Sequence, residues 1–291
     1  MVIESHKQYL LISRLRVRGA NALSSPLTFG FPAVTAFLGF GHALQRHFNA
    51  SQRQSEFRVN GVGIVSHRFE MLDHQEGYNR TLQLTANPLN ASGERASFIE
   101  EGRCHMTVSL VLEVQGLADG QRDANRIGAI IVSKMKLAGG DLLHPPSVEF
   151  IEDSRKSLRR LMPGYALIER RDLVAQSMQQ GDDALQALHK HLQVKHQSTQ
   201  NANGEVVWAS SRRQAGWIIP IATGFHAISL AGKAVQARDA STLHRFAESV
   251  ITLGEFVLAS RFEKLSDLIW RYQHDGDLYV CIQDSNNPVL S

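Results

Sequence analysis

The chain has 291 residues, of which 43% are hydrophobic and 20% charged, and its formal net charge is +3. This composition excludes a disordered or fibrous protein, and the length suits two modest domains or one domain with long insertions. Cys104 and Cys281 lie too far apart for a zinc-finger spacing, and they favour a reducing compartment without structural disulfides. Segment 1–15 mixes charged residues into a short apolar run, so we expect no signal peptide, no membrane contact and a cytoplasmic protein.

The first half of the chain predicts four strands and two helices from its hydrophobic periodicity. The strands are predicted at 9–18, 59–71, 103–112 and 142–151, and the helices at 32–48 and 121–138. A hairpin that projects around 73–77 and returns along 78–86 is predicted between the second and third strands. This element order is typical of a ferredoxin-like fold, in which two helices cover one face of an antiparallel sheet and the other face stays open.

The second half gives a weaker pattern. It predicts strands at 165–169, 206–210, 217–223 and 278–282, helices at 172–194 and 243–258, and a mobile loop at 197–204. This order leaves open a second ferredoxin-like unit. We therefore predict an α+β protein with an RRM-like palm at 1–153, an inserted β-hairpin thumb at about 70–90, and a C-terminal α/β portion at 154–291.

The segment from Ser5 to Ser55 contains six Lys or Arg residues and no acidic residue. At the chain-wide frequency of Asp and Glu, about five acids are expected in a window of this length. A surface that keeps guanidinium groups and excludes carboxylates suits a polyphosphate backbone, because each carboxylate would repel the ligand that each arginine attracts. Nucleic acid is therefore the first partner to test.

Arg14, Arg16 and Arg18 share one face of the first predicted strand if that strand is regular, together with Leu10 and Ile12. In a ferredoxin-like sheet the first and third strands are neighbours, so this row is expected beside His105, Thr107 and Ser109 on a basic, open face. A solvated strand face without a ligand is the alternative. The absence of counter-charge favours the ligand, since solvated faces usually mix both signs.

The turn before the first helix contains Asn21, Ser24, Ser25 and Thr28, whose hydroxyl and amide groups suit a phosphate near a helix N-terminus. The alternative is that these residues only form the turn and cap the helix. Phe69, Tyr78 and Trp217 lie near basic residues and are candidates for base stacking, although we expect most of them in the core.

An enzymatic reading would use the 13 histidines, with His42 or His67 as a general base for RNA cleavage through the ribose 2′-hydroxyl. No spacing singles out an acid–base pair. The chain has no HExxH, GxxxxGK[ST] or GxSxG motif, so the sequence predicts no metal site, no cofactor and no catalytic residue.

Long segments of the chain resemble a known family. They are 14–32 (RLRVRGANALSSPLTFGFP), 36–46 (AFLGFGHALQR), 61–70 (GVGIVSHRFE), 84–90 (LTANPLN), 100–105 (EEGRCH), 136–140 (KLAGG), 216–221 (GWIIPI) and 253–256 (LGEF). These segments are similar to the subunit family of the Csy complex, the type I-F CRISPR surveillance complex, whose members hold the 5′ end of the guide RNA (crRNA).

The resemblance implies a non-catalytic protein of the RAMP superfamily that takes part in antiviral defence against foreign DNA. It implies that the chain grips the repeat-derived 5′ handle of the crRNA, pairs with the large PAM-reading subunit, abuts the first backbone subunit and meets target DNA only through the complex. Together with the charge pattern it predicts twelve RNA-binding residues, Arg14, Arg16, Asn21, Ser24, Ser25, His42, Arg46, His67, Arg68, Arg80, Arg103 and His105. Two alternatives stay open: a RAMP-type endoribonuclease that processes precursor crRNA, and a docking module for an acidic protein.

Overall fold

The computed structural model describes residues 8–51, 56–77, 79–86, 88–118, 120–201, 203–235, 239 and 241–284. The strands are β1 (Gln8–Asn21), β2 (Leu23–Ser25), β3 (Thr28–Phe29), β4 (Arg58–Met71), β5 (Asp73–Glu76), β6 (Asn79–Thr85), β7 (Ile99–Glu101), β8 (Arg103–Gln115), β9 (Asp141–Leu142), β10 (Ser147–Phe150), β11 (Tyr165–Glu169), β12 (Val194–Gln200), β13 (Val206–Arg212), β14 (Trp217–Ala227), β15 (Ala247–Leu258), β16 (Ile269–Asp275) and β17 (Leu278–Ile282). The α-helices are α1 (Val34–Ala50), α2 (Gly120–Lys134), α3 (Ser154–Arg160), α4 (Arg171–Gln179) and α5 (Ala184–Leu192), and the 3₁₀ helices are Ala259–Arg261 and Leu265–Leu268.

One large antiparallel sheet runs through both halves of the chain. Its strand order is β10-β1-β8-β4-β11-β15-β14-β17-β16, and β9 lies beside β10 on the same edge of β1. The protein is therefore of mixed α and β structure with mostly antiparallel pairing, as predicted. The predicted adjacency of the first and third major strands, now β1 and β8, is also confirmed.

Helices α1 and α2 cover one face of the β10-β1-β8-β4 region. α1 buries the stripe Val34, Phe37, Leu38, Leu44 and Phe48, which recurs at helical spacing and packs on the apolar side chains of β1, β4 and β8. α2 ends at Lys134, earlier than predicted, and a tight turn from Leu137 to Gly140 follows it. This layer contains the larger apolar core.

Strand β4 joins the two halves because both of its edges are paired. β8 runs along one edge, while β11 and β16 share the other edge, so that β4, β11, β15, β14, β17 and β16 form a closed circuit. The close approach of β16 requires a glycine. A Cβ on Gly61 would lie 2.3 Å from Ile269 Cγ2 and 2.8 Å from the Trp270 carbonyl oxygen, so any other residue would push the strands apart.

The second face of the sheet is only half open, which corrects the prediction of an uncovered face. Leu158 and Leu161 at α3 and Leu265 and Leu268 at the second 3₁₀ helix pack on Val111 and its neighbours in a separate apolar core. The covered half is the one nearer to the end of β8. The half that stays exposed is the one that carries the arginines of β1.

The segment between β4 and β8 forms a small three-stranded sheet, β5-β6-β7, apart from the main sheet. The predicted turn is present, with Gly77 at φ 59°. The first strand of the hairpin is β5 rather than β4 itself, because the pairing of β4 with β8 ends at Met71.

Three predictions for the second half are wrong. Segment 243–258 is not a helix, since Ala247–Leu258 is a strand between β11 and β14. Segment 172–194 forms two helices, because Gly181 adopts φ 101° and the chain changes direction between them. Segment 197–204 is not a long loop, since β12 and β13 pair up to Gln200 and Val206. The second half is consequently not a second ferredoxin-like unit.

Cys104 and Cys281 are both buried and unbonded, and burial raises the pKa of each thiol to about 12. Among the residues that the structure describes, no helix combines the length and apolar character needed to cross a bilayer.

Candidate nucleic-acid interface

A bulge in the middle of β1 decides which of its side chains face the exposed half of the sheet. Ser13 and Arg14 together stand opposite Ser109. Arg14 has φ 50°, and its backbone N–H donates a hydrogen bond to Ser109 Oγ at 2.9 Å. The extra residue reverses the alternation, so Leu10 and Ile12 face the helical core instead of sharing a face with the arginines, which corrects the regular-strand prediction.

A second bulge follows five residues later. Arg18 and Gly19 together stand opposite His105, and Gly19 has φ 67°. The Gly19 N–H donates to His105 Nδ1 at 3.1 Å, and Arg103 Nη1 donates to the Gly19 carbonyl oxygen at 3.3 Å. Because Nδ1 accepts a hydrogen bond, the proton of the neutral His105 ring lies on Nε2.

A third bulge lies in β4 and inserts His67 between the pairs Ser66–Val108 and Arg68–Thr107. The ring of His67 is hydrogen-bonded on both sides. Nδ1 lies 2.7 Å from the Pro163 carbonyl oxygen, which can only accept, so Nδ1 carries the proton. Nε2 then accepts from Ser109 Oγ, also at 2.7 Å.

The His67 ring is thus held neutral in a chain that runs from the Arg14 N–H through the Ser109 hydroxyl to the Pro163 carbonyl. Burial lowers the pKa of His67 below its ordinary value of 6.5, and the nearby charge of Arg14 lowers it further, while the hydrogen bond with Pro163 opposes the shift. Ser109 is 1% exposed, so the first bulge of β1 and the bulge of β4 are tied together beneath the surface.

This arrangement predicts acid lability with a defined cause. Because the pKa of His67 is lowered on folding, the unfolded chain binds more protons below pH 6.5, and the free energy of unfolding falls as the pH falls through that region. In urea titrations between pH 6.5 and 5.5, the free energy of unfolding of the variant H67Q is expected to depend less steeply on pH than that of the wild type. The difference in slope is expected to reach up to about 1.4 kcal/mol per pH unit. The matched control H74Q changes an exposed histidine of β5 and keeps the wild-type slope. Equal slopes for H67Q and the wild type would contradict the assignment.

The exposed half of the sheet forms a cleft across β1, β8 and β4. Paired residues project from the same face, so two rows of side chains cross the cleft. They are Arg16, Thr107 and Arg68 in the first row and Arg18, His105 and Glu70 in the second. Leu143 closes one side, and the cavity volume is about 240 Å³. We call this surface the cationic cleft.

The charges of the cationic cleft are largely uncompensated. In the described ranges, Arg16 and Arg18 form no ion pair. Asp141, the cross-strand partner of Arg18 on β9, pairs with Lys136 at 2.9 Å, which lowers the pKa of this carboxyl, and the nearby charge of Arg18 lowers it further. Arg14 donates to the Met162 carbonyl oxygen at 3.1 Å and keeps its charge. Arg68 pairs with Glu70 at 3.0 Å, but the Arg68 side chain is 74% exposed and the Glu70 side chain 50% exposed. The ion pair therefore stabilises the fold by at most about 1 kcal/mol. A phosphate can replace Glu70 at little cost.

A sequence profile described as CRISPR-associated protein (Cas_Csy2) matches residues 10–281. The chain belongs to the Csy2 family. A curated relative, "CRISPR-associated protein Csy2" of Pseudomonas aeruginosa (strain UCBPP-PA14), is 35% identical over 314 residues, and the alignment covers 95% of each protein. The family resemblance inferred from the sequence segments is therefore confirmed.

Seven of the twelve residues predicted from the Csy2 resemblance and the charge pattern come together on the open half of the sheet. Arg16, Arg68 and His105 line the cationic cleft. Arg14 and His67 border it through the Ser109 network. Asn21 and Arg103 form the next cross-strand pair along β1 and β8, although Arg103 is engaged with Glu101 at 2.7 Å.

Ser24 and Ser25 are committed to the turn, and so is the Asn21 side chain. Asn21 bonds both main-chain groups of Leu23, Ser24 donates to the Phe31 carbonyl oxygen at 3.2 Å, and Ser25 Oγ lies 2.7 Å from Thr28 Oγ1. None of them caps α1, whose N-cap is Ala33 without a side-chain bond. For these side chains the structural alternative, formation of the turn, is what the contacts support.

His42, Arg46 and Arg80 are not part of the cleft. His42 and Arg46 are exposed on the outer face of α1, and the helix and the sheet separate them from Arg16. Arg80 lies on β6 and pairs with Asp73 across the hairpin at 2.6 Å. Tyr78 lies outside the described residues.

Sequence reasoning left several residues of this surface out of the predicted site. Arg18 belonged to the basic row but was not included, and Thr107 was noted only as a polar strand residue. Thr107 lies between Arg16 and Arg68 because β8 pairs with β1 on one edge and with β4 on the other. The alternation along β8 does indicate that Thr107 faces the same side as His105. No local signal marks Leu143 as the side of the cleft.

Proposed function

We propose that this chain is a non-catalytic subunit of a type I-F CRISPR RNA-guided complex and that the cationic cleft holds the repeat-derived 5′ handle of the crRNA. The observation that carries the proposal is the cluster of uncompensated arginines on the exposed half of the sheet in a member of the Csy2 family. Three guanidinium groups face the cleft against the single carboxylate of Glu70. Such an excess of positive charge attracts a phosphate backbone.

The architecture supports a strand-like ligand rather than a compact one. Arg16 and Arg18 are spaced along the strand direction of β1, and Arg68 on β4 extends the row across the sheet. The two bulges of β1 fix the direction of Arg16 between them, since each freed N–H is bonded to a β8 side chain. The backbone on both sides of Arg16 is thus already ordered, so binding does not have to fix the main chain there.

In this proposal the β10-β1-β8-β4 region with α1 and α2 acts as the ferredoxin-like palm, and the β5-β6-β7 sheet acts as the thumb. The order of β10, β1, β8 and β4 and the placement of both helices on one face support that description. The thumb emerges where β4 and β8 leave the cationic cleft. A guide RNA lying in the cleft would therefore continue past the thumb.

The partners follow from the same proposal. The chain would pair with the large PAM-reading subunit, abut the first backbone subunit and meet target DNA through the assembled complex. The curated relative is described only as a CRISPR-associated protein, so the partners are inferred from the resemblance of the sequence to the Csy-complex family.

The geometry favours binding over RNA cleavage. A general base needs a free lone pair within reach of the 2′-hydroxyl. The Nε2 lone pair of His67 is occupied by Ser109, and Nδ1 points at Pro163. His42, the other candidate base, lies on the outer face of α1. Neither histidine is presented to a strand in the cationic cleft.

Co-expression of the chain with its partner subunits and a CRISPR array transcript tests the proposal. Native mass measurement is expected to give a complex with one crRNA and one copy of this chain. Incubation of the purified chain with repeat RNA in EDTA is expected to leave the RNA intact. Site-specific cleavage without metal would support the endoribonuclease instead, and a complex that keeps its crRNA without this chain would support the docking module.

A further inference from the structure

A second concave surface lies next to the cationic cleft, on the other side of the outer edge of β4. Beyond Ser66, within the described ranges, no strand pairs with the outer edge of β4, because β11 begins at Tyr165. The gap is lined by aromatic side chains from five separate segments, Phe29, Phe31, Phe69, Tyr165, Trp217 and Phe256. We call it the aromatic groove. Its volume is about 300 Å³, at the lower end of the range for small-molecule sites.

The rings of the groove contact one another but stay accessible. Phe31 lies 5.8 Å from Phe69 and 5.2 Å from Phe256, and Trp217 lies 5.3 Å from Phe256 and 5.8 Å from Tyr165, measured between centroids. Trp217 is nevertheless 55% exposed and Phe69 is 38% exposed. Exposed aromatic rings held by neighbouring rings are preordered, so a further flat ring can stack on them at a small entropic cost.

The polar groups at the groove favour a nucleic acid as its occupant. Among the described residues that line the groove none is acidic, and Arg68 at its rim also lines the cationic cleft. Arg68 and Phe69 are consecutive residues of β4, so they project to opposite sides of the strand. A chain that passes over this edge can place a phosphate at Arg68 and its base at Phe69.

We propose that the aromatic groove takes one unstacked base of the RNA strand whose phosphates lie in the cationic cleft, with Trp217 and Phe69 as its stacking surfaces. This inference rests on the proposed function and adds a base-binding site to it. Single-stranded RNA is commonly bound by this combination of a cationic path and aromatic rings. The groove would hold the base by stacking and shape, with Ser66 at its polar end.

Guide RNAs that carry one abasic nucleotide at each position of the 5′ handle test the inference in the complex assembled with its partner subunits. For the wild-type chain, one position is expected to weaken binding about 5- to 150-fold when its base is removed, which is the size of a lost stacking contact. The variants W217L and F69L are expected to bind intact RNA more weakly than the wild type by a similar factor. In these variants the sensitive abasic position no longer causes a further loss. The control W208L, which changes an exposed Trp of β13, is expected to bind like the wild type.

Three results would overturn the inference. W217L and F69L could both bind intact RNA like the wild type, or each abasic position could keep its full effect in the variants. The variants could also release a partner subunit while keeping RNA affinity, which would make the groove a protein contact. The same measurements distinguish failure of the proposed function from failure of this inference. If the proposed function is wrong, R16E/R68E binds RNA like the wild type. If only the base-binding site is wrong, R16E/R68E binds RNA weakly and W217L binds it normally.

Discussion

The double variant R16E/R68E is expected to lose its guide RNA. Both arginines lie in one cross-strand row with Thr107, and both face the cationic cleft. Each charge-assisted contact with a phosphate is worth roughly 1.5–3 kcal/mol, so removal of two contacts weakens binding by roughly 10²- to 10⁴-fold before the added repulsion. The dependence of log affinity on log salt is expected to become shallower by roughly 1.4, because two fewer phosphates are neutralised on a single strand. Filter binding of crRNA across a salt series measures both effects.

R46E/R122E is the matched control for this experiment. It makes the same change in net charge with two exposed arginines of α1 and α2, on the helical side of the sheet. We expect it to bind crRNA nearly as well as the wild type at physiological salt. Equal losses in the two double variants would mean that binding depends on overall charge and that the cationic cleft has no special role.

The variant W270A is expected to lower the free energy of unfolding by about 3–5 kcal/mol. Trp270 is 0% exposed, packs in the larger apolar core and donates its indole N–H to the Leu167 carbonyl oxygen at 2.9 Å. It also lies in the short pairing of β16 with β4 that closes the circuit. Truncation therefore leaves a cavity and removes a buried hydrogen bond at the joint between the two halves.

The comparison with W208A isolates this effect in a urea titration. Trp208 is 70% exposed on β13, so its truncation is expected to change the free energy of unfolding by no more than about 0.5 kcal/mol. If W270A and W208A unfold at the same urea concentration, the closed circuit described for the second half is wrong.

The sequence allowed prediction of the elements around the site because their periodicity is local. In β8, Cys104 and Met106 lie on the core face and His105 and Thr107 on the other, so the face of each side chain could be predicted from the alternation. The strand order followed from the order of elements along the first half. The predicted position of the basic row on β1 beside β8 is therefore correct.

The bulges could not be predicted from the same periodicity. One extra residue at Ser13–Arg14 exchanges the two faces of β1, and the bond that stabilises it comes from Ser109, almost a hundred residues later in the chain. His67 is a second example, since its ring is fixed by Ser109 and by Pro163. Such contacts leave no mark on the local sequence.

The misassigned helix at 243–258 has a different cause. From Val250 to Leu258 six of the nine residues are apolar without a strict alternation, and a fully paired central strand has the same pattern as a buried helix. β15 is paired on both edges, by β11 and β14, so neither face has to alternate. Gly61 likewise gives no sign that β16 crosses so close to it.

The most direct test of the cationic cleft is photo-crosslinking of the assembled complex with photoreactive nucleotides in the 5′ handle, followed by mass spectrometry of the crosslinked peptides. We predict crosslinks to peptides of β1, β4 and β8 that contain Arg16, Arg68 or His105. Crosslinks confined to the outer face of α1, around His42 and Arg46, or to the β12–β13 hairpin would contradict the assignment of this surface to the guide RNA.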